Sequence, residues 1–405
     1  MVSINAVPVF KKLFTPDSNG REINVYRLTN IQLAGDTYYP NCLLYSNGQV
    51  YNPLDERIMS LSIKIEKDTS VSKFIKIEKN PVFFFIYNTD NYYHFIYDTL
   101  PYLISFRELK NEIKELKLLM NYPNFQSNKL YSFVVEFLEI LGINSSDIII
   151  SDKDTLYTDI YFSSSYTHGF DSNLPPRSEV YGLYKEIVNI VNTKFIDDKE
   201  YPSKIYISRR TWINNDDSNI GTNYTSKRKL VNEDDLVKLL NSTGYVEVFS
   251  ENLSTIDKIK MFSRAKYIIG AIGGGLCNVL FSNEDTELIA LISPTFLEIN
   301  KRFEFSLSKV NVFNFKDSKH FDRGSFKRFM RVYFENRIGE IEEVYHHSIL
   351  VAYTDNFVAG WNNNFKLKRK KISKKNCLKL DNGLNSPWVI NIKKIKKILN
   401  EKHIQ

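Results

Sequence analysis

Cysteine is nearly absent: Cys42, Cys277 and Cys377 are all that 405 residues contain. Three thiols, odd in number and far apart, make neither a disulfide framework nor a zinc site, and their scarcity fits a reducing compartment. Long apolar runs are missing too; none approaches the ~20 residues that a membrane-spanning helix needs. The opening MVSINAVPVFKKLF lacks a basic region followed by an apolar one, so no secretory signal and a cytoplasmic location are expected. Serine-triad chemistry has no G-x-S-x-G to support it. Glycines do cluster once, but that cluster matches neither G-x-G-x-x-G nor G-x-x-x-x-G-K-[ST], which removes the dinucleotide fingerprint and the P-loop.

What is present is a foldable composition, 43 % apolar, with 25 tyrosines and 28 phenylalanines. It excludes a disordered chain, and the length predicts two domains with an appendage. The cluster itself, KYIIGAIGGGLCNVLF at Lys266–Phe281, reads as a buried strand, a turn with Gly270, Gly273, Gly274 and Gly275, and the start of a helix. That is the build of a phosphate-holding turn, because glycine lets the backbone approach a ligand and the first helical N–H groups face it. A tight turn with no ligand is the other reading of the same residues.

Residues 1–80 look β-rich, with short runs at Ile23–Leu28, Leu43–Tyr45, Leu61–Ile65 and Phe74–Ile77 between turn signals. From 81 to 200, strands and helices alternate, with Pro101 kinking or restarting a helix over Tyr93–Leu109. A second alternating unit spans 201–330. There Asn232 starts a helix at Glu233–Asn241, Ser254 caps Thr255–Ala265, and Leu297–Ser308 forms a further helix. An extension, 331–405, carries KLKRKKISKK and KKIKK and much of the net charge of +7. The expected fold is α/β: two doubly wound, Rossmann-like sheets facing one cleft, with a β-rich N-terminal arm and a basic C-terminal extension.

Two places carry candidate chemistry besides the glycines. In NYYHFIYDTLP, after the apolar run Val82–Tyr87, His94 and Asp98 stand four apart, where a carboxylate can orient an imidazole for general-base work. Arg209 and Arg210 leave a strand at Lys204–Ser208, and a guanidinium fork beside a glycine turn suits a diphosphate. Arg228 adds charge nearby in the sequence. Asp152-Lys153-Asp154 spells D-x-D inside a charged turn, and His346-His347 has no supporting ligand cluster.

Together and in order, these pieces resemble glycosyltransferase family 61. The residues that carry the resemblance are Asn91, His94, Phe95, Asp98, Leu100 and Pro101; Ile207, Ser208 and Arg209; and Arg228, Asn232 and Glu233. They continue with Leu253, Ser254, Ile259, Phe262 and Ala265, and end with Gly270, Gly273, Gly275, Leu276 and Asn278. The resemblance covers about residues 82–295. It implies a GT-B architecture, a nucleotide-sugar donor, and inversion at the anomeric carbon with no cofactor and no obligatory metal. Arg209 and Gly273, Gly274 and Gly275 would hold the donor diphosphate, with Asn278 and Arg228 in support. His94 or Asp98 would be the base. Three places depart from the family pattern: Ile272 replaces a histidine, Gly274 an alanine, and Asp257-Lys258 the usual Glu-Gln pair.

The expectation is therefore a hexosyl- or pentosyltransferase acting on a glycan or lipid-linked glycan acceptor in surface polysaccharide synthesis. Ile390, Ile392, Ile395, Ile398 and Leu399 alternate with lysines, which predicts an amphipathic helix lying at a membrane face. Ile272 prompts the alternative of an inactive nucleotide- or glycan-binding protein of the same fold. No nucleic-acid partner is expected, since the strands advertise no exposed stacking surface.

Overall fold

The computed structural model describes residues 9–34, 43–46, 49–51, 76–86, 91–122, 128–152, 154–167, 174–210, 230–294, 296–299, 302–320, 357–361, 367–371 and 388–401. Contacts divide the chain into two compact units, one ending at Ile196 and the other beginning at Asp197. The expected strand Leu61–Ile65 and the pair His346-His347 lie outside the described residues, as does Arg228.

The first unit is built on a mixed sheet. Its strands are β1 (Val9–Phe14), β2 (Ile23–Ala34), β3 (Leu43–Ser46), β4 (Gln49–Tyr51), β5 (Lys76–Glu78), β6 (Val82–Phe84), β7 (Lys117–Met120), β8 (Ile148–Ile150) and β9 (Thr155–Ser163). The order is β4-β3-β2-β9-β6-β7-β8, with β1 on β2 and β5 on β9. The long β2 runs antiparallel to β9, from Val25↔Ser163 to Gln32↔Leu156. β6, β7, β8 and β9 are mutually parallel neighbours. The expected boundary near residue 80 therefore falls inside one sheet: β1 to β4 make its antiparallel part, while β5, from the N-terminal segment, already pairs parallel with β9 as β6 does. The run at 82–86 is apolar on both faces and buried on both, as a central parallel strand requires. Helix Ser178–Lys194 covers the unit with Val180, Leu183, Tyr184, Ile187 and Val191, a stripe at helical spacing.

The second unit is a five-stranded parallel sheet: β10 (Lys204–Ile207), β11 (Val246–Val248), β12 (Tyr267–Ala271), β13 (Glu287–Leu291) and β14 (Asn311–Phe315), ordered β11-β10-β12-β13-β14. This is a doubly wound order whose direction reverses between β10 and β12. Beyond it, β15 (Ser318–His320) pairs with β18 (Trp388–Ile390), and β16 (Phe357–Trp361) pairs with β17 (Leu367–Lys371). The expected helix Leu297–Ser308 appears as two short ones, Phe296–Ile299 and Arg302–Ser306.

The C-terminal helix, Ile392–Glu401, forms as its pattern predicts, but its apolar stripe is already occupied. Ile390, Ile395 and Leu399 are buried in the core of the second unit with Tyr206, Leu236, Leu240, Ile269 and Trp388, and Ile392 and Ile398 pack against the same cluster. Only lysines, Lys393, Lys394, Lys396 and Lys397, are left exposed on this helix beside short polar and acidic residues. Membrane insertion through the isoleucine face is thus corrected: that face is core. Trp388 is among the largest fully buried side chains. Trp388→Ala is expected to cost about 3–5 kcal/mol, the usual range for emptying a large aromatic site, measured by denaturant unfolding. A freely solvated tail would give no change.

Candidate functional site

In the first unit the candidate residues gather at the carboxyl end of β6. The order of the parallel strands reverses at β6, with β7 and β8 on one side and β9 on the other. Chain leaving such a strand lies over the crevice where ligands bind. Asn91 opens the turn, its side chain accepting from the His94 amide at 3.3 Å. One helical turn, Tyr92–His94, follows and then widens into a π-helix over Phe95–Thr99.

Competition for donors explains the widening. The Leu100 amide reaches back to the Phe95 carbonyl at 2.7 Å, five residues away, so the Ile96 carbonyl loses its α-helical donor. Pro101 has no N–H to replace it. The Tyr184 hydroxyl, from the long covering helix, donates to Ile96 O at 2.7 Å instead. The Phe95 ring anchors the turn among Phe85, Phe133 and Phe137, with centroids 5.5–6.4 Å apart. Single π turns of this kind recur at functional sites. The regular helix resumes at Tyr102–Glu112, where the expected kink at Pro101 lies.

On this turn His94 Nδ1 lies 2.7 Å from Asp98 Oδ2. The Asp98 carboxylate is buried and the imidazole is 23 % exposed. A buried carboxylate on Nδ1 fixes the ring and its tautomer, and directs proton transfer to Nε2.

In the second unit three strand ends converge at the reversal point. Ile207 on β10 is level with Gly270 on β12, so Arg209 and the glycine turn emerge side by side. The Arg209 guanidinium lies directly on Gly273: a Cβ there would sit 2.5 Å from Nη1. Space, not backbone conformation, demands this glycine, because its φ of 165° is ordinary extended backbone. Gly275 is equally tight, its Cβ position being 2.6 Å from Ser250 Oγ, just past the end of β11. After Gly273 the chain enters a helix as expected, of the 3-10 kind, over Gly274–Phe281. Asn278 Nδ2 donates to Gly275 O at 2.9 Å, three residues back, and tightens this turn. Leu276 is the first amide to donate within it, to Gly273 O at 3.1 Å, which leaves the Gly274 and Gly275 amides ahead of the helical ladder.

Electrostatics separates the two arginines. Burial pulls the Arg209 guanidinium below its ordinary value, and the carboxylates of Glu233 and Glu251 pull it back up. Arg210 is spent elsewhere: Nε donates to Glu247 at 2.8 Å and Nη1 to Asp234 at 2.8 Å. Hydrogen bonding to Glu247 holds Arg210 above its ordinary value. Of the expected fork, only Arg209 is directed to the turn. Ile272, where the family pattern has histidine, is buried and donates its amide to Leu291 O at 3.1 Å. Asn232 does not cap its helix; its side chain accepts from the Ile390 amide and donates to the Ile390 carbonyl. Ser254 caps as expected, accepting from the Asp257 amide at 3.0 Å. Among the described residues no group of three metal-ligating side chains gathers, and Asp152 takes Lys76 in an ion pair.

Gly273→Ala is expected to push Arg209 aside while the fold survives, because the obstructing atom is the end of a flexible side chain. Affinity for a nucleoside diphosphate should fall roughly tenfold or more, the worth of a charged hydrogen bond, with the melting temperature nearly unchanged.

The family model described as Glycosyltransferase 61 matches residues 92–289, the stretch that carries the His94–Asp98 pair and the Arg209–glycine turn. No curated protein matches the chain.

Proposed function

Residues 92–289 belong to glycosyltransferase family 61, and from that premise we propose that the chain is an inverting glycosyltransferase that needs no metal. The observation carrying the proposal is the Arg209 guanidinium lying on the Gly273 backbone at the reversal point of a doubly wound sheet. A nucleotide-sugar donor places its diphosphate there, held by Arg209 and the amides of Gly274 and Gly275. As the bond between the anomeric carbon and the diphosphate breaks, negative charge grows on the leaving group, and a guanidinium with oriented amides stabilises it.

The acceptor hydroxyl attacks the anomeric carbon from the side opposite the leaving diphosphate. Its proton passes to His94 Nε2 while Asp98 holds Nδ1 and stabilises the imidazolium. One bond forms as one breaks, so the configuration inverts. This requires the two units to bring acceptor and donor together, and the GT-B arrangement is part of the proposal. So are a hexosyl or pentosyl donor, a glycan or lipid-linked glycan acceptor, a role in surface polysaccharide synthesis and a cytoplasmic location. Contact with a membrane face would rest on charge attraction between the basic runs of the extension, such as the lysines of 393–397, and anionic headgroups.

Ile272 favours a second reading, a nucleotide- or glycan-binding protein without turnover. A panel of UDP, GDP, ADP, CDP and CMP separates the possibilities. Native-state binding raises the melting temperature. One diphosphate should do so, and the matching nucleotide-sugar should be consumed when acceptor is supplied. A shift without consumption supports the second reading, and no shift with any nucleotide overturns both.

A further inference from the structure

The sequence places Glu233 at a helix start and among the residues that carry the family resemblance, with no role assigned to it. In the structure it is 2 % exposed, and one of its oxygens, Oε1, accepts three hydrogen bonds. They come from the Tyr206 hydroxyl at 2.8 Å, the Ser208 hydroxyl at 3.1 Å and the Arg209 amide at 2.7 Å. All three donors belong to the end of β10 and the residues leaving it. The carboxylate therefore pins the backbone from which the Arg209 side chain departs. Its own place is fixed from the other side: Asn232 clamps the Ile390 backbone with bonds of 2.8 and 3.1 Å, joining the helix start to β18.

We infer that Glu233 is the positioning residue of the donor site, holding the root of Arg209 so that its guanidinium meets the diphosphate over Gly273. This rests on the reading of Arg209 as the diphosphate ligand. A long arginine loses affinity when its root is loose, because ordering it is then charged against binding. A buried carboxylate nearby also offsets the cost of desolvating the guanidinium.

The test measures the dissociation constant of the nucleoside diphosphate that stabilises the wild-type chain, well below every variant's melting temperature, together with hydrogen exchange at the Arg209 amide. Glu233→Gln is expected to weaken binding about tenfold or more and to speed exchange at that amide. Tyr206→Phe, which removes one donor and keeps the carboxylate, should weaken binding several-fold and covers the case in which Glu233→Gln fails to fold. A purely structural Glu233 would lower the melting temperature and leave the dissociation constant unchanged in both variants, which overturns the inference alone. No binding of any nucleoside diphosphate by the wild-type chain overturns the donor reading, and this inference with it.

Discussion

His94→Ala is expected to lower kcat by about 10²–10⁴, the range that a positioned general base contributes, with little change in the dissociation constant for the donor nucleotide. In the proposed mechanism proton removal from the acceptor hydroxyl would fall to the first unit and the diphosphate contacts to the second. Local structure should survive, because the Asn91 cap uses the His94 backbone amide rather than its ring. The anchors of the π turn, Phe95 and the Tyr184–Ile96 bond, are likewise untouched. Asp98→Asn keeps an acceptor for Nδ1 but removes the charge that stabilises the imidazolium, so its loss should be smaller than that of His94→Ala. Initial rates at saturating donor and acceptor measure both. If His94→Ala retains activity within about threefold of wild type, far short of the loss a general base implies, His94 is not the base.

Arg209→Ala should abolish thermal stabilisation by the nucleoside diphosphate and lower kcat by about 10²–10³, as removal of a preorganised charge partner of a leaving group does. Both effects are expected because the guanidinium meets the diphosphate in the ground state and meets more charge on it in the transition state. The fold is expected to tolerate the change, because the Arg209 amide and its bond to Glu233 are kept. Arg209→Lys should recover only part, since an ammonium is a point charge without the planar fork. Arg210→Ala makes the contrasting control. Its loss breaks ion pairs to Glu247 and Asp234 and should lower stability, while diphosphate binding at temperatures well below melting stays close to wild type. A nucleotide shift that persists in Arg209→Ala would move the donor site elsewhere.

Much of this architecture is legible along the chain. Val82–Phe84, Lys204–Ile207 and Glu287–Leu291 sit where short apolar runs predict buried strands, and Glu233–Asn241 has the predicted bounds. His94 and Asp98 meet because four residues on one helical turn bring them together. These features depend on neighbours within a few residues, so composition and spacing suffice to specify them.

The rest was decided by partners far away in sequence. The π turn exists because Tyr184, 88 residues on, takes a carbonyl that the helix gave up. Asn232 has the character of a cap but bonds Ile390 instead, 158 residues away. Two adjacent arginines read alike, yet one lies on Gly273 and the other is consumed by Glu247 and Asp234. The isoleucine stripe of the last helix is the plainest case. An apolar face at helical spacing records that something apolar covers it, and nothing in the pattern distinguishes lipid from protein core. Only the packing of Ile395 and Leu399 into the core of the second unit decides that question, because burial is non-directional and any apolar surface of matching shape satisfies it.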